Sequence, residues 1–211
     1  MAMSFTIAGG GQYIDYVLPS GVARMTLNCW IYPISLSGYV PIMSLRGGST
    51  VNRYAISVDT TVNKVVLDSA STLYNTFAYS TNTLIANSWN MVTATVTSGT
   101  LRTISLNAVT YTDTDTQSGM TLNRALVGAY FDSGTTTPTW NGYIAEVALW
   151  SQDFNQSEIN ALYAGAKPYH FRAGQLRMYV PGVSNINATT PVTSTTLNGS
   201  IPFVTHVRRL G

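Results

Sequence analysis

Gly142-Tyr-Ile-Ala-Glu-Val-Ala-Leu-Trp150, a short linker, and then Asn155-Gln-Ser-Glu-Ile-Asn-Ala-Leu-Tyr163 form the stretch on which the reading of the fold turns. The first nine residues are β-branched, aromatic or small and apolar around one glutamate, and they read as a strand. The second nine read as a helix. Asn155 is an N-cap residue type, and Glu158 stands three positions on, as in a capping box. Ile159, Leu162 and Tyr163 then recur at i, i+3 and i+4, which lines up one apolar face. Gly165 can close the helix, and Pro168 bars its continuation. The spacing predicts one short helix near Ser157–Ala164, set after a strand.

Outward from this block, the segments alternate with period two and are separated by turn residues. Towards the N-terminus these are Met25-Thr-Leu-Asn-Cys-Trp-Ile-Tyr32, Tyr54-Ala-Ile-Ser-Val58, Lys64-Val-Val-Leu67, Trp89-Asn-Met-Val-Thr-Ala-Thr-Val96, Leu101-Arg-Thr-Ile-Ser-Leu106, Val109-Thr-Tyr111 and Ala125-Leu-Val-Gly-Ala-Tyr130. Val92, Ala94 and Val96 fall on one face. Towards the C-terminus, Gln175-Leu-Arg-Met-Tyr-Val180 and Ile201-Pro-Phe-Val-Thr-His-Val207 are strand-like. The polar stretch Pro181 to Thr196 between them reads as an exposed loop. The expected class is all-β, with residues 1–211 as one domain and 174–211 as a C-terminal strand extension. That extension either completes the protein's own sheets or docks on a partner.

Composition narrows the function. Charged residues make up 9% of the 211, against roughly a quarter in average soluble proteins. Thr, Ser, Asn and Gly take their place. Thirteen tyrosines and four tryptophans supply a core, so disorder is not expected. A formal net charge of +2 without a basic stripe leaves no electrostatic footprint for nucleic acid. No apolar run approaches the roughly 18–20 residues that span a bilayer, and no leader peptide is expected at the N-terminus. Cys29 is the one cysteine, so no internal disulfide is expected.

Taken together, these motifs resemble the laminin-G-like, concanavalin-A-like lectin jelly rolls. The strand Thr26-Leu-Asn-Cys-Trp30-Ile-Tyr-Pro33 is similar to the family's opening strand. Asn87-Ser-Trp89-Asn-Met-Val92-Thr-Ala94 resembles its "Gly-x-Trp-His-x-Val-Ala" strand. Ile104-Ser-Leu-Asn107-Ala108 resembles its "Leu-Tyr-Val-Asn-Gly" hairpin, with Ala in the glycine position. Trp140-Asn-Gly142-Tyr-Ile-Ala-Glu146-Val, followed by Trp150 and Ser157-Glu158-Ile159-Asn-Ala-Leu162-Tyr163, is similar to the family's most specific block. The "Ile-Ala-Glu-Val-Ala-hydrophobic-Trp" form looks like the variant found in phages and prophages. Pro168 to Arg172, Leu176-Arg-Met-Tyr179-Val-Pro181 and Ile201-Pro202 follow that variant's layout. The resemblance implies a two-sheet antiparallel jelly-roll sandwich with one short helix.

Chemistry-bearing residues are sparse. Glucanases of this fold need paired acids on one strand. Asp113-Thr-Asp115 is the nearest candidate and lacks a third acid; a strand end near a hairpin is the simpler reading. Glu158 is spoken for as a cap, and Glu146 sits among apolar residues and reads as structural. His170, His206 and Cys29 show no zinc spacing. Gly9-Gly10-Gly11 opens no helix and is not a dinucleotide fingerprint. No catalytic residue and no cofactor are therefore expected. The family resemblance leaves calcium open, with Asp59 and Asp132 in turn-like segments, although calcium wants six to eight oxygens and Ala145 stands where the family has an Asp.

Tyr130, Phe131, Asp132, Trp140 and Asn141 flank a Thr-rich loop. Exposed rings beside Asp and Asn compose a sugar platform, in which the ring stacks on a pyranose and the polar groups meet its hydroxyls. The alternative is that Phe131 and Trp140 cover the sandwich edge. Trp30, Trp89 and Trp150 are expected in the core or between the sheets. Two functions follow. One is a non-enzymatic phage virion protein, a capsid decoration or fibre component, whose partners are other virion proteins and copies of itself. The other is a free-standing carbohydrate-binding module for cell-surface glycans.

Overall fold

Two antiparallel sheets lie face to face across an apolar interior, as the alternating segments predict. The computed structural model describes residues 2–5, 12–47, 52–71, 75–117, 120, 122–132, 135–138, 140–181, 194–198 and 203–204. The strands in chain order are β1 (Ala2–Phe5), β2 (Tyr13–Val22), β3 (Met25–Pro33), β4 (Tyr39–Arg46), β5 (Arg53–Asp59), β6 (Lys64–Ala70) and β7 (Asn75–Tyr79). They continue with β8 (Asn90–Ser98), β9 (Leu101–Leu106), β10 (Val109–Asp113), β11 (Leu122–Val127), β12 (Ala129–Asp132), β13 (Thr135–Pro138) and β14 (Gly142–Trp150). The helix α1 (Gln156–Tyr163) follows, then β15 (Leu176–Val180), β16 (Ser194–Asn198) and β17 (Phe203–Val204).

The first sheet runs β10-β9-β8-β3-β14-β1-β17, and β15 also pairs with β14. The second runs β16-β2-β11-β4-β5-β6-β7, and β12-β13 is a separate hairpin. The chain ends meet through β1 and β17. β16 pairs with β2, so Ser194 to Thr196 belong to a strand and not to the exposed loop expected there. The C-terminal strands thus extend the protein's own sheets.

Between the sheets the inward residues are apolar: Met25, Leu27, Cys29 and Ile31 from β3, Val92, Ala94 and Val96 from β8, Tyr54, Ile56 and Val58 from β5, and Val65 and Leu67 from β6. Each buried Val, Leu, Ile or Met side chain among them contributes about 1.5–3 kcal/mol. Burial raises the Cys29 thiol to about 12, so it acts as a small apolar side chain.

A bulge in β14 decides which side chains face this interior. Ala145 pairs with Trp30 and Ala148 with Asn28, so two residues oppose Cys29. Glu146 takes the left-handed conformation there, with φ 52°. The extra residue resets the alternation. Ile144, Val147 and Leu149 point between the sheets, while Ala145, Ala148 and Trp150 point to the outside. Glycine is required at 142, because a Cβ there would lie 2.2 Å from the Tyr32 carbonyl oxygen.

The outer face of the first sheet is covered in turn by α1 and the turns after it. Trp30, Trp150, Phe154, Ile159, Leu162, Leu176 and Tyr179 form a second apolar cluster. The helix starts as its sequence predicts: the Glu158 N–H donates to Asn155 Oδ1 at 3.0 Å, and the Asn155 N–H donates to Glu158 Oε2 at 2.9 Å. Arg172 holds the same carboxylate at 2.6 and 2.9 Å. Trp30 and Trp150 therefore pack under the helix rather than between the sheets. Trp89 is half-buried beside Tyr32 and Tyr143.

At the β9–β10 turn, Asn107 and Ala108 both have positive φ, 52° and 65°. This is the two-residue hairpin geometry that favours Asn-Gly. Ala108→Gly is expected to raise stability by about 0.5–1 kcal/mol, the left-handed strain outweighing the added freedom of the unfolded chain. Urea unfolding of the pair of proteins checks it.

Candidate functional site

Among the described residues no helix covers the outer face of the second sheet. The β12–β13 hairpin packs across β4 and walls one side of a cleft of about 240 Å³ lined by Tyr39, Arg53, Asp68, Phe77, Tyr79 and Tyr130. That is smaller than a drug-sized pocket of roughly 300–1,000 Å³ and suits a single sugar unit.

Strand pairing assembles these residues. Asp68 on β6 lies directly opposite Phe77 on β7, and Tyr39 on β4 lies opposite Asp59 on β5. Phe77 is 41% exposed, so its ring is free to meet a ligand, and Tyr39 stands edge-on to it at 6.3 Å. Arg53 forms the floor. Its Nε and Nη2 donate to Asp68 Oδ2 at 3.2 and 3.0 Å, and its guanidinium lies 5.3 Å from the centre of the Tyr130 ring.

Burial, and then the Asp68 charge, raise the Tyr39 hydroxyl above the usual phenol range. Burial and Asp59 do the same for Tyr79. Both remain O–H groups at neutral pH. The Asp59 carboxyl is held below its usual range, first by the Thr61 hydroxyl. It accepts from the Thr61 N–H at 3.0 Å, the Thr61 hydroxyl at 2.6 Å and the Tyr79 hydroxyl at 3.3 Å. Aromatic edges, hydroxyl groups and a paired Arg–Asp on rigid strands form a surface that can stack a sugar ring and meet its hydroxyls.

Of the residues expected to bind glycans, Tyr130 lines this cleft and Phe131 covers Arg46, with the guanidinium 4.1 Å from the ring centre. The Asp132 backbone pairs with Thr135, and its side chain lies outside the described residues. Asn141 is half-buried, and its carbonyl accepts from the Ile34 N–H at 3.2 Å. Trp140 is corrected outright. It is 2% exposed and lies in the apolar interior between the sheets, so it offers no ring to a ligand. The polar residues around it suggested a loop, but it enters the core just before β14.

Tyr39, Arg53, Asp68, Phe77 and Tyr79 were not anticipated. The available signal was charge within strands: Arg53 opens β5, and Asp68 follows the apolar Val65-Val66-Leu67 of β6.

Asp113 and Asp115, the nearest candidates for a catalytic pair in the sequence, do not line this cleft. Asp113 is buried in an ion pair with Arg102, and the Asp115 N–H donates to Asp113 Oδ1 at 3.4 Å. Glu146 is 5% exposed and accepts from the Tyr179 hydroxyl at 2.5 Å. His170 packs beside Tyr169, with ring centres 4.4 Å apart; His206 and Gly9-Gly10-Gly11 lie outside the described residues. Among the described residues no three His, Cys, Asp or Glu side chains converge, and Asp59 accepts from the N–H and hydroxyl of Thr61 in its own turn. Among the described residues no helix is long and apolar enough to cross a membrane.

Three comparisons bear on this geometry. A family model described as concanavalin A-like lectin/glucanases superfamily matches residues 8–160. No curated protein sequence matches the chain. Among solved structures, the native heptameric SAP-like pentraxin from Limulus polyphemus is similar at TM-score 0.69 and 13% identity, over 99% of this chain and 97% of that one. A protein from Bacteroides ovatus named for carbohydrate binding gives TM-score 0.73 and 15% identity, over 100% of this chain and 61% of that one. The CBM40 of the Ruminococcus gnavus IT-sialidase, bound to α2,3-sialyllactose, gives TM-score 0.56 and 10% identity, over 67% and 83%. At these identities the likeness carries the fold alone.

Proposed function

This chain belongs to the concanavalin A-like lectin/glucanases superfamily, and on that premise we propose that it is a non-catalytic carbohydrate-binding module. The observation that carries the reading is the cleft on the open face of the second sheet, where Phe77, Tyr79, Tyr39 and Tyr130 surround the Arg53–Asp68 pair. The similarity to structures named for carbohydrate binding supports it.

Phe77 supplies the test, because its exposed ring bears little on stability. A glycan array followed by calorimetry is expected to find a ligand whose affinity falls roughly tenfold in Phe77→Ala, the value of one aromatic contact of about 1.5 kcal/mol. Unchanged affinity in the folded variant removes the cleft as the site. No hydrolysis of the bound glycan is expected.

A second reading sets the same module on a phage virion, among capsid proteins and copies of itself. Its support is a surface with few charges that exposes Ile34, Val62, Ile85, Leu101 and Val109. Contact with neighbouring subunits would cover such residues, and many copies would make weak glycan contacts sufficient. Mass spectrometry of purified particles is expected to find the chain; its absence from them overturns this second reading.

A further inference from the structure

The first sheet ends at β10. This strand pairs with β9 on one side, and among the described residues no strand pairs with its other side. Natural sheets guard such an edge with Lys, Pro, a bulge or a stray charge. Val109-Thr-Tyr-Thr112 carries no Lys, Pro or acid, and its register with β9 runs without a bulge. The one charge of the strand, Asp113 at its end, is taken by Arg102.

The turn before β10 decides which backbone groups are left over. Asn107 and Ala108 form a two-residue turn, with Leu106 directly opposite Val109. That closing pair exchanges both of its backbone hydrogen bonds, and bonded and non-bonded pairs then alternate along the ladder. Val109, Tyr111 and Asp113 therefore turn their N–H and C=O groups toward β9, while Thr110 and Thr112 turn theirs away. The edge offers two donors and two acceptors. The Ala108 carbonyl, next along, already accepts from the Gln156 side chain at 2.8 Å.

The side chains add an apolar strip. Val109 and Tyr111 are 42% and 43% exposed, although their partners on β9, Leu106 and Ile104, are wholly buried. Cross-strand partners share a face, so the inner face of the first sheet continues past the point where the second sheet covers it.

This edge is complementary to itself. Two β10 strands set antiparallel about a two-fold axis at Tyr111 bring Thr110 of each copy opposite Thr112 of the other. Each of these two pairs exchanges two backbone hydrogen bonds, so every left-over group on both threonines is used. Tyr111 meets Tyr111 of the second copy, and the rings close the uncovered strip. An axis moved to Thr110 would instead call on the committed Ala108 carbonyl. A formal net charge of +2 leaves little repulsion between copies.

We propose that two copies of the chain join edge to edge through β10, in an antiparallel pair centred on Tyr111 that makes one continuous sheet of the two first sheets. The pairing is independent of the carbohydrate reading. It gives a surface to the contact between copies that the virion reading invokes, and particle mass spectrometry tests that reading separately.

Sedimentation equilibrium of the full chain, at concentrations up to about 100 μM, is expected to show the mass rising toward twice that of one chain. Thr112→Pro removes an outward N–H and spares the ladder with β9; it is expected to weaken the dimer by roughly tenfold or more. Tyr111→Cys sets two thiols across the axis at a Cα separation that a disulfide spans, so mild oxidation is expected to give a covalent dimer. Val109→Cys is expected to give none, because its two copies lie roughly 13 Å apart along the pair. Cys29 is buried and takes no part, and thermal unfolding confirms that the variants are folded. A monomer at every concentration overturns the proposal. So does a dimer that Thr112→Pro leaves as stable as before, or one that cross-links through Val109→Cys and not through Tyr111→Cys. Sugar binding in the cleft, read by Phe77→Ala, survives either result.

Discussion

Asp113→Ala is expected to destabilise the fold by about 3–5 kcal/mol, the cost of leaving a buried charge without its partner. Arg102 is completely buried. It reaches across the sandwich from β9, pairs with Asp113 on β10 and donates to the Thr76 hydroxyl on β7 at 2.6 Å. Its Nε has no partner among the described residues, so little else is available to answer the charge. Replacing both partners, as in Arg102→Met with Asp113→Leu, is expected to cost far less, because it removes the desolvated charges together. Urea unfolding of the single and double variants measures this. A loss below about 1 kcal/mol for Asp113→Ala would mean that Arg102 finds water or another acceptor. The same result bears on catalysis, since a carboxylate committed to Arg102 is not free to serve as an acid.

Trp140→Ala is expected to cost about 3–5 kcal/mol, as large-to-small changes in a packed core do. The ring lies between the sheets with Ile144, Val127 and Met43 in the same cluster. Trp140→Phe keeps most of the volume and is expected to lose much less. A platform residue would behave in the opposite way, with Trp140→Ala sparing stability and removing ligand. Denaturant midpoints set beside glycan affinities tell the two apart.

The two faces of the first sheet explain why tryptophan was hard to place from sequence. Period-two reading assumes one wet face. β14 is buried at nearly every position, because the second sheet covers one side and α1 the other. Its alternation is then invisible, and the bulge at Glu146 shifts it by one residue. Trp30 and Trp150 accordingly lie under the helix, and Trp140, read as a loop residue, lies between the sheets. By contrast the helix was legible, because a capping box and an i, i+3, i+4 stripe are local signals. So was the inward face of β8, where Val92, Ala94 and Val96 alternate with polar threonines.

Of the residues that line the candidate cleft, the sequence reading reached Tyr130 alone. Its other members come from β4, β5, β6 and β7, and register alone brings them together. Arg46 and Arg53 are seven residues apart in the chain, yet they face each other because the β4–β5 ladder pairs them, past an irregularity between Pro41 and Met43. No local pattern announces that pairing, since it is set by the register between strands.

The account stands or falls on whether the cleft is where a glycan binds. The direct measurement is amide chemical-shift mapping on isotope-labelled protein, titrated with a glycan found on the array. The expected result is perturbation concentrated at Tyr39, Arg53, Asp68, Phe77, Tyr79 and Tyr130. Shifts confined to another surface, such as the Tyr32, Trp89 and Tyr143 cluster on the first sheet, would contradict it.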